Sequence, residues 1–385
     1  MKKTLMVTAF SGAVATAAHA QSGVTLYGLI DAGITYTNNQ NGHSAWQATS
    51  GTVNGSRWGL RGAEDLGGGL KAIFVLESGF SIMNGTAGQS SRMFGRQAYV
   101  GLTSDQYGAV TLGRQYDSVV DYLAPLSITG TQSGGTISAH PFDNDNLNNS
   151  IRFNNTVKYS SLNYSGFKFG TTYSFSNSTE FANNRAYSFG ATYNYGGLNV
   201  AAGYLQLNND MNNPQVKQAA FAGAQTGEWT FLAGRQRTFG GGLNYTFGPA
   251  TAGFVYTQTN LSDTQGGSIS PTKSGVATTG VPFNASSARF QNFEGNIRYA
   301  LTPALSLAGS YTYTRANLGG GVNPNYNTVA LQSDYLLSKR TDVYLQSDWQ
   351  HVSSNPEVGA YLNGLSSASK TQDQVAVTVG MRHRF

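Results

Sequence analysis

Cysteine is absent from this 385-residue chain, so neither disulfides nor thiolate metal sites contribute to its stability. No run of eighteen apolar residues occurs either, which excludes helical membrane spans. Charged residues are scarce, at 11%. Histidine is rarer still. Past residue 20 only His43, His140, His351 and His383 remain, none in a nucleophile or metal spacing, and His383 falls on the last strand pattern. Disorder is a poor fit, because 22 Tyr and 20 Phe accompany a low net charge. What is left is an all-β chain.

The first twenty residues read as an export signal rather than as fold. Lys2 and Lys3 start it, Leu5 to Ala17 is a short apolar run broken by Thr and Ser, and Ala18-His19-Ala20 is a small-x-small cleavage site. Removing Lys2 and Lys3 takes the formal charge from +5 to +3. An exported, aromatic, polar β chain has one leading environment, the outer membrane.

From Gln21 onward the chain reads as short alternating strands. Val24 to Thr37 is the first and Ser56 to Glu64 the second, the latter with Trp58 and Leu60 outward and Arg57 and Arg61 inward. Leu70, Ala72, Phe74 and Leu76 oppose Lys71 and Glu77 on the third. The intervening Asp65-Leu-Gly-Gly-Gly69 is a turn; no helix and no Gly-Lys-Ser/Thr follows to make it a phosphate loop. A fourth strand is expected over Arg92 to Thr103 and a fifth over Ala109 to Arg114. Arg96 shares parity with Val100 and Leu102 there, unless a bulge intervenes. Ile151 to Tyr159 is the sixth strand, with Ile151, Phe153 and Val157 opposite Arg152, Asn154 and Lys158. Turns at Gly196-Gly197, Gly248-Pro249, Thr302-Pro303 and 338–341 continue the rhythm, with long loops near 208–227 and 262–287. The final strand is Gln374 to Phe385. About sixteen strands with alternating short and long connections predict a transmembrane antiparallel β-barrel around an aqueous channel. A soluble β-sandwich would show more varied turns and no aromatic terminus.

One stretch, 115–150, breaks the pattern. A structureless connection of this length belongs in a compact fold only if it has a task. Asp117 to Leu123 has room for one or two helical turns, since Val119, Val120 and Leu123 fall on one side. In a closed barrel the economical place for such a loop is inside, narrowing the lumen. It carries Asp117, Asp121, Asp143 and Asp145, expected to face the strand arginines across the gap. Asp143-Asn-Asp-Asn opens like a calcium loop, but Asn148 and Asn154 stand where glycine and glutamate are required. No metal and no cofactor is expected.

Val24-Thr-Leu-Tyr-Gly-Leu-Ile-Asp-Ala-Gly33, Ser56 to Ala72, Arg96-Gln-Ala-Tyr-Val-Gly-Leu102, Gly108-Ala-Val-Thr-Leu-Gly-Arg-Gln115 and Gly380-Met-Arg-His-Arg-Phe385 together resemble the general trimeric porins of Gram-negative outer membranes, in their beta-proteobacterial branch. The resemblance spans the whole mature chain. It implies a sixteen-stranded barrel, three barrels per assembly, and a third loop folded into the pore. It maps constriction arginines onto Arg57, Arg96 and Arg152, with Arg61 beside them. It implies further that Phe385 is read by the barrel-insertion machinery. The loop lacks the Pro-Glu-Phe-Gly signature of enterobacterial relatives. The expected partners are outer-membrane lipid, small hydrophilic solutes and ions, with no nucleic acid. A substrate-specific channel is the alternative, although Tyr27 and Tyr344 alone do not make the aromatic row of a sugar pore. An outer-membrane barrel enzyme is the other.

Overall fold

The computed structural model describes residues 23–131, 133–179, 181–209, 231, 233–264, 268–269, 281–282, 286–356 and 358–385. The export signal expected at 1–20 lies outside the described residues, as does most of the loops expected at 208–227 and 262–287.

Seventeen strand segments form one antiparallel sheet. Two of them are halves of one wall strand, so the wall has sixteen: β1 (Gly23–Gln40), β2 (His43–Ser50 and Arg57–Gly67), β3 (Leu70–Gly79), β4 (Gln97–Ser104), β5 (Gly108–Gln115), β6 (Phe153–Ser160), β7 (Phe167–Ser174), β8 (Arg185–Tyr195), β9 (Leu198–Asn208), β10 (Arg235–Phe247), β11 (Ala250–Ser262), β12 (Ser287–Ala300), β13 (Leu305–Asn317), β14 (Asn325–Leu336), β15 (Thr341–Ser353) and β16 (Asp373–Arg384). Each pairs with its sequence neighbours, and β16 returns to β1 through Leu29↔Arg384 to Thr37↔Ala376, which closes the barrel and leaves no edge. The seam is sealed by the chain end. Gly28 and Phe385 exchange backbone hydrogen bonds of 3.0 and 3.1 Å, and the Phe385 ring lies where a Gly28 Cβ would be.

Period-two alternation positions the side chains. On β1, Asp31, Thr35 and Thr37 are buried toward the interior while Leu26 and Ile34 are 58% exposed on the outside. That outer face is apolar, as a lipid-facing wall requires.

Three departures from simple alternation matter for the interior. The first half of β2 was not legible in the sequence: β1 runs on to Gln40, and polar His43–Ser50 folds back on it. The chain then breaks away at 51–56, held by Asp31 Oδ2, which accepts from the Val53 and Asn54 amides (3.0 and 2.7 Å). Secondly, β4 begins at Gln97, not Arg92. Arg96 closes the preceding connection, its amide donating to Glu77 O, and this break lets its side chain enter the barrel although Val100 and Leu102 face out. Thirdly, β6 begins at Phe153, and Phe153 is buried inside whereas Val157 faces out. The register slips between Gly113 and Gln115, and Asn155 has φ 52°, so a bulge reverses the parity that even spacing suggested.

Candidate pore constriction

Residues 116–131 and 133–152 lie inside the barrel. A wide helical turn, Val119–Leu123, follows Asp117, whose carboxylate Oδ1 accepts from the Val119 and Val120 amides (2.7 and 3.2 Å). The turn sits on the inner wall because that wall is flat there. Gly170, Gly190 and Gly203 are register neighbours on β7, β8 and β9, and a Cβ at any of them would meet Tyr122, Ser118 or Val119. Around this seat, Val119, Leu123, Leu126, Leu147 and Ile151 pack on Ala201, Leu205, Leu207 and Val255. The inside of β9 and β11 is therefore apolar, because the loop rather than water covers it. At the far end Phe142 inserts among Phe231, Phe290, Tyr326 and Tyr361, with ring centroids 5.9–6.5 Å apart.

Polar tethers fix the loop to β10–β15. Ile128 N donates to Glu294 Oε1 (2.7 Å), Asn296 Nδ2 to Leu126 O (2.9 Å) and Thr259 Oγ1 to Asn144 O (2.9 Å). Further along, Gln346 Nε2 donates to Gly134 O (2.6 Å) and Ser138 Oγ to Asp348 Oδ1 (2.5 Å). The most concentrated tether is a buried triad. His140 Nδ1 is 2.6 Å from Asp145 and Nε2 is 3.0 Å from Glu294 on β12, all three side chains fully buried. Contacts from both ring nitrogens to carboxylates require both to carry protons, so the ring is an imidazolium. Burial alone would lower the His140 pKa, but Asp145 and then Glu294 outweigh it and push it up to about 10. Burial would likewise raise Asp145, and His140 reverses this, holding it below the usual carboxylate range.

The wall of β2–β6 is basic, and the start of the loop meets it through Tyr116 and Asp121. Arg57, Arg96 and Arg152 lie within electrostatic reach of one another, with Tyr116 and Glu77 among them. Arg96 Nε donates to Glu77 Oε1 (2.7 Å) and Nη2 to the Tyr116 hydroxyl (3.0 Å). The Arg152 guanidinium stands 5.9 Å from the Tyr116 ring centroid, and that of Arg96 6.0 Å, so Tyr116 is the spacer between the two cations. Arg57 Nε donates to Gly55 O (2.9 Å) at the break in β2. Arg61 is on the same inward alternation but set apart, over the Tyr27 ring at 5.3 Å.

The four loop carboxylates do not face these arginines as a row. Asp117 is buried, with Asn146 Nδ2 on its second oxygen (2.7 Å). Asp143 accepts from the Asn148 and Ser150 amides (2.9 and 3.1 Å), and Asp145 takes His140 and Thr257. The oxygens that resembled the start of a calcium loop are thus used by protein donors. Asp121 turns to the basic side, where it pairs with Lys158. Burial raises the pKa of Asp121, opposed by Lys158; burial and then the Asp121 charge push Asp117 up to about 6.

Sequence reasoning overlooked Glu77 as a site residue, although its inward parity was legible, and overlooked Tyr116 and the His140 triad. It also missed a charged network on β14–β16, where Arg382 bridges Asp334 and Asp342 and donates to Asn54 Oδ1 (2.7 Å) at the break in β2. Tyr27 and Tyr344 do not line a track; their hydroxyls donate to Glu77 (3.0 Å) and Asp31 (2.7 Å).

Comparison with known proteins agrees with this architecture. Residues 5–355 match the model of the Gram-negative porin family. An outer membrane porin protein of Bordetella pertussis is 33% identical over the full length of both chains, and outer membrane porin protein 32 of Delftia acidovorans is 28% identical, also over both full lengths. Among solved structures, the anion-selective porin from Comamonas acidovorans superposes with a TM-score of 0.73 at 23% identity, covering 94% of this chain and 100% of that one. A trimer form of an outer membrane protein of Vibrio cholerae gives 0.63 at 17%, covering 94% and 99%. With its closed sixteen-stranded wall, inward third loop and full-length relatives, this chain belongs to the Gram-negative porins and resides in the outer membrane.

Proposed function

We propose that this porin passes small hydrophilic solutes passively, with a modest preference for anions set by Arg57, Arg96 and Arg152. The observation that carries the reading is the imbalance at the constriction. Arg57, Arg96, Arg114, Arg152 and Lys158 gather on the wall of β2–β6, where Glu77 pairs with Arg96 and Asp121 with Lys158. Fixed charge at a narrowing in a low-dielectric wall selects ions of opposite sign, and arginine keeps its charge at any working pH. The name of the Comamonas relative supports the same sign. A single-channel record in a salt gradient tests this: a zero-current potential on the anion side is expected, and one on the cation side overturns the reading.

Residues 1–20 are proposed to leave on export, and Phe385 to serve assembly. Asp at 385 would put a charge over Gly28 at the barrel seam. Phe385→Asp is therefore expected to lower the amount in outer-membrane fractions several-fold while channels that do assemble conduct normally. Wild-type amounts of the variant would refute it.

The assembly is proposed to be a homotrimer joined through β1–β5. Small residues on an outer wall let neighbouring barrels approach closely; of Gly28, Ala32, Ala63 and Ala72 on these strands, Ala32 and Ala72 face out, Gly28 lies under Phe385, and Ala63 falls on the lumen side with Arg57 and Arg61. The trimeric Vibrio relative supports this. Cross-linking in mild detergent is expected to trap trimers; a ladder that stops at the monomer counts against it.

A further inference from the structure

The break in β2 does more than interrupt a strand. Residues 51–56 leave the wall and run inside the barrel, where Thr52, Val53 and Ser56 are buried. Asp31 on β1 organises the whole excursion. Its backbone oxygen accepts from the Gly51 amide (2.8 Å) and the Ser56 hydroxyl (3.1 Å), and its own amide donates to Ser56 Oγ (3.1 Å), which clamps the two ends together. At the crest its carboxylate Oδ2 takes the Val53 and Asn54 amides, while Oδ1 accepts from the Tyr344 hydroxyl on β15 (2.7 Å). Gly51 has φ 71°, and a Cβ there would lie 2.6 Å from Gly55 Cα, so glycine lets the excursion close this tightly.

Three parts of the pore meet on this excursion. From β16, Arg382, held by Asp334 and Asp342, donates Nη1 to Asn54 Oδ1 (2.7 Å). From the inward loop, the Thr136 amide donates to Thr52 O (2.9 Å), and Gly135 presses so closely that a Cβ would fall 2.4 Å from the Thr52 and Val53 backbone. On the basic wall, Gly55 O accepts from Arg57 Nε (2.9 Å), and a Gly55 Cβ would stand 3.4 Å from Arg96 Nη1. The Arg57 backbone is fixed by the ladder, in register with Leu29 and Gly79. Its guanidinium is not; it is aimed through Nε by the Gly55 carbonyl, without which a long side chain regains its rotamer freedom.

We propose, resting on the anion preference inferred above, that the 51–56 excursion is a positioning element of the constriction: Asp31 and Asn54, neither of them in the arginine cluster, hold Gly55 O where it aims Arg57 into the narrowing. The Arg382 network thereby has a task, since it fixes Asn54 from β16. Losing the hold lets Arg57 swing among rotamers, which spreads its charge away from the narrowest point and weakens its field there. The sign of the effect is diagnostic. Asp31 is an acid, so deleting its charge would by electrostatics alone favour anions, whereas releasing Arg57 favours cations.

The test reads zero-current potentials of the full-length porin in a salt gradient near about 0.01 M, where screening is weak, with heat-modifiable mobility reporting a folded barrel. Asp31→Ala is expected to bring the anion-to-cation permeability ratio about twofold closer to unity, and Asn54→Ala, which cuts the Arg382 tie alone, to move it the same way by less. Asp31→Asn keeps a carbonyl oxygen for the Val53 and Asn54 amides and is expected to restore the wild-type ratio. In an Arg57→Ala background, Asp31→Ala is expected to change nothing further, because the residue it acts through is gone. Should Asp31→Ala fail to assemble, Asn54→Ala with and without Arg57→Ala reads the same cycle. A shift toward anions in Asp31→Ala, an equal shift in Asp31→Asn, or full additivity with Arg57→Ala would each overturn the proposal. Arg57→Ala alone separates it from the reading beneath: an unmoved potential there removes both, whereas a moved one with Asp31→Ala and Asn54→Ala unmoved removes the positioning role only.

Discussion

At 0.01 M salt, combining Arg57→Ala with Arg152→Ala is expected to shift the zero-current potential toward the cation side and to change the anion-to-cation permeability ratio several-fold. A unit charge acts on an ion about 7 Å away with on the order of 0.6 kcal/mol in water, and two are removed. What remains on that side is Arg114, hydrogen-bonded to Gly95 O and Asn154 Oδ1, with Arg96 tied to Glu77 and Lys158 tied to Asp121, two pairs whose fields largely cancel. Glu77→Gln is expected to move the potential the other way, because it unmasks Arg96. Both effects fade as salt rises, since the screening length falls from ~30 Å at 0.01 M to ~3 Å at 1 M. An unchanged potential in the Arg57/Arg152 variant at 0.01 M, with heat-modifiable mobility showing a folded barrel, would remove these arginines from the selectivity mechanism.

The wall was legible in the sequence because alternation and turn chemistry are local. Gly196-Gly197, Gly248-Pro249 and Thr302-Pro303 each bound a strand pair as expected. Two places failed for one physical reason, a bulge or break that no composition signals. Asn155 at positive φ turned Phe153 inward, and the gap at 51–56 split β2. The constriction was half legible. Inward parity marked Arg57 and Arg61 directly, and the loop's length marked it as the filler of the lumen. Where its acids point was not legible, because a carboxylate in a loop is as readily consumed by backbone amides as offered to a ligand. Asp117 did carry a readable sign: an acid two residues before the helical turn at Val119 is a cap in waiting. Asp143 and Asp145 carried none, since their partners Ser150, Thr257 and His140 meet them only through the folded loop. The apolar seat was hidden likewise. Leu205, Leu207 and Val255 break the polar-inward rule only because Val119 and Leu123 cover them.

His140→Ala is expected to release the loop from the far wall at neutral pH without opening the barrel. The substitution leaves Asp145 and Glu294 buried beside an emptied position with no cation between them, and breaking a buried pair in this way costs about 3–5 kcal/mol. The strand ladders do not include His140, so the barrel should keep its heat-modifiable mobility. The loop loses its strongest tether while Phe142 and the Gly134 and Ser138 contacts remain. Conductance is then expected to become noisy and stepwise, and the loop to become sensitive to protease. The pH dependence separates this account from simple damage. In the wild type the folded pKa of His140, about 10, lies above its unfolded value of about 6.5. Its contribution is thus fully present below about 6.5 and lost as pH rises through about 10. Asp145 is shifted the other way, so its contribution is present above its unfolded value near 4 and lost as pH falls through its lower folded value. Wild-type channels should be quiet between these limits and turn noisy above pH 10. In His140→Ala the order reverses, because acid protonates the facing carboxylates and relieves their repulsion, so noise present at pH 7 should subside toward pH 4. Steady, wild-type conductance of His140→Ala at pH 7, or noise that worsens on acidification, would show that the triad does not hold the loop.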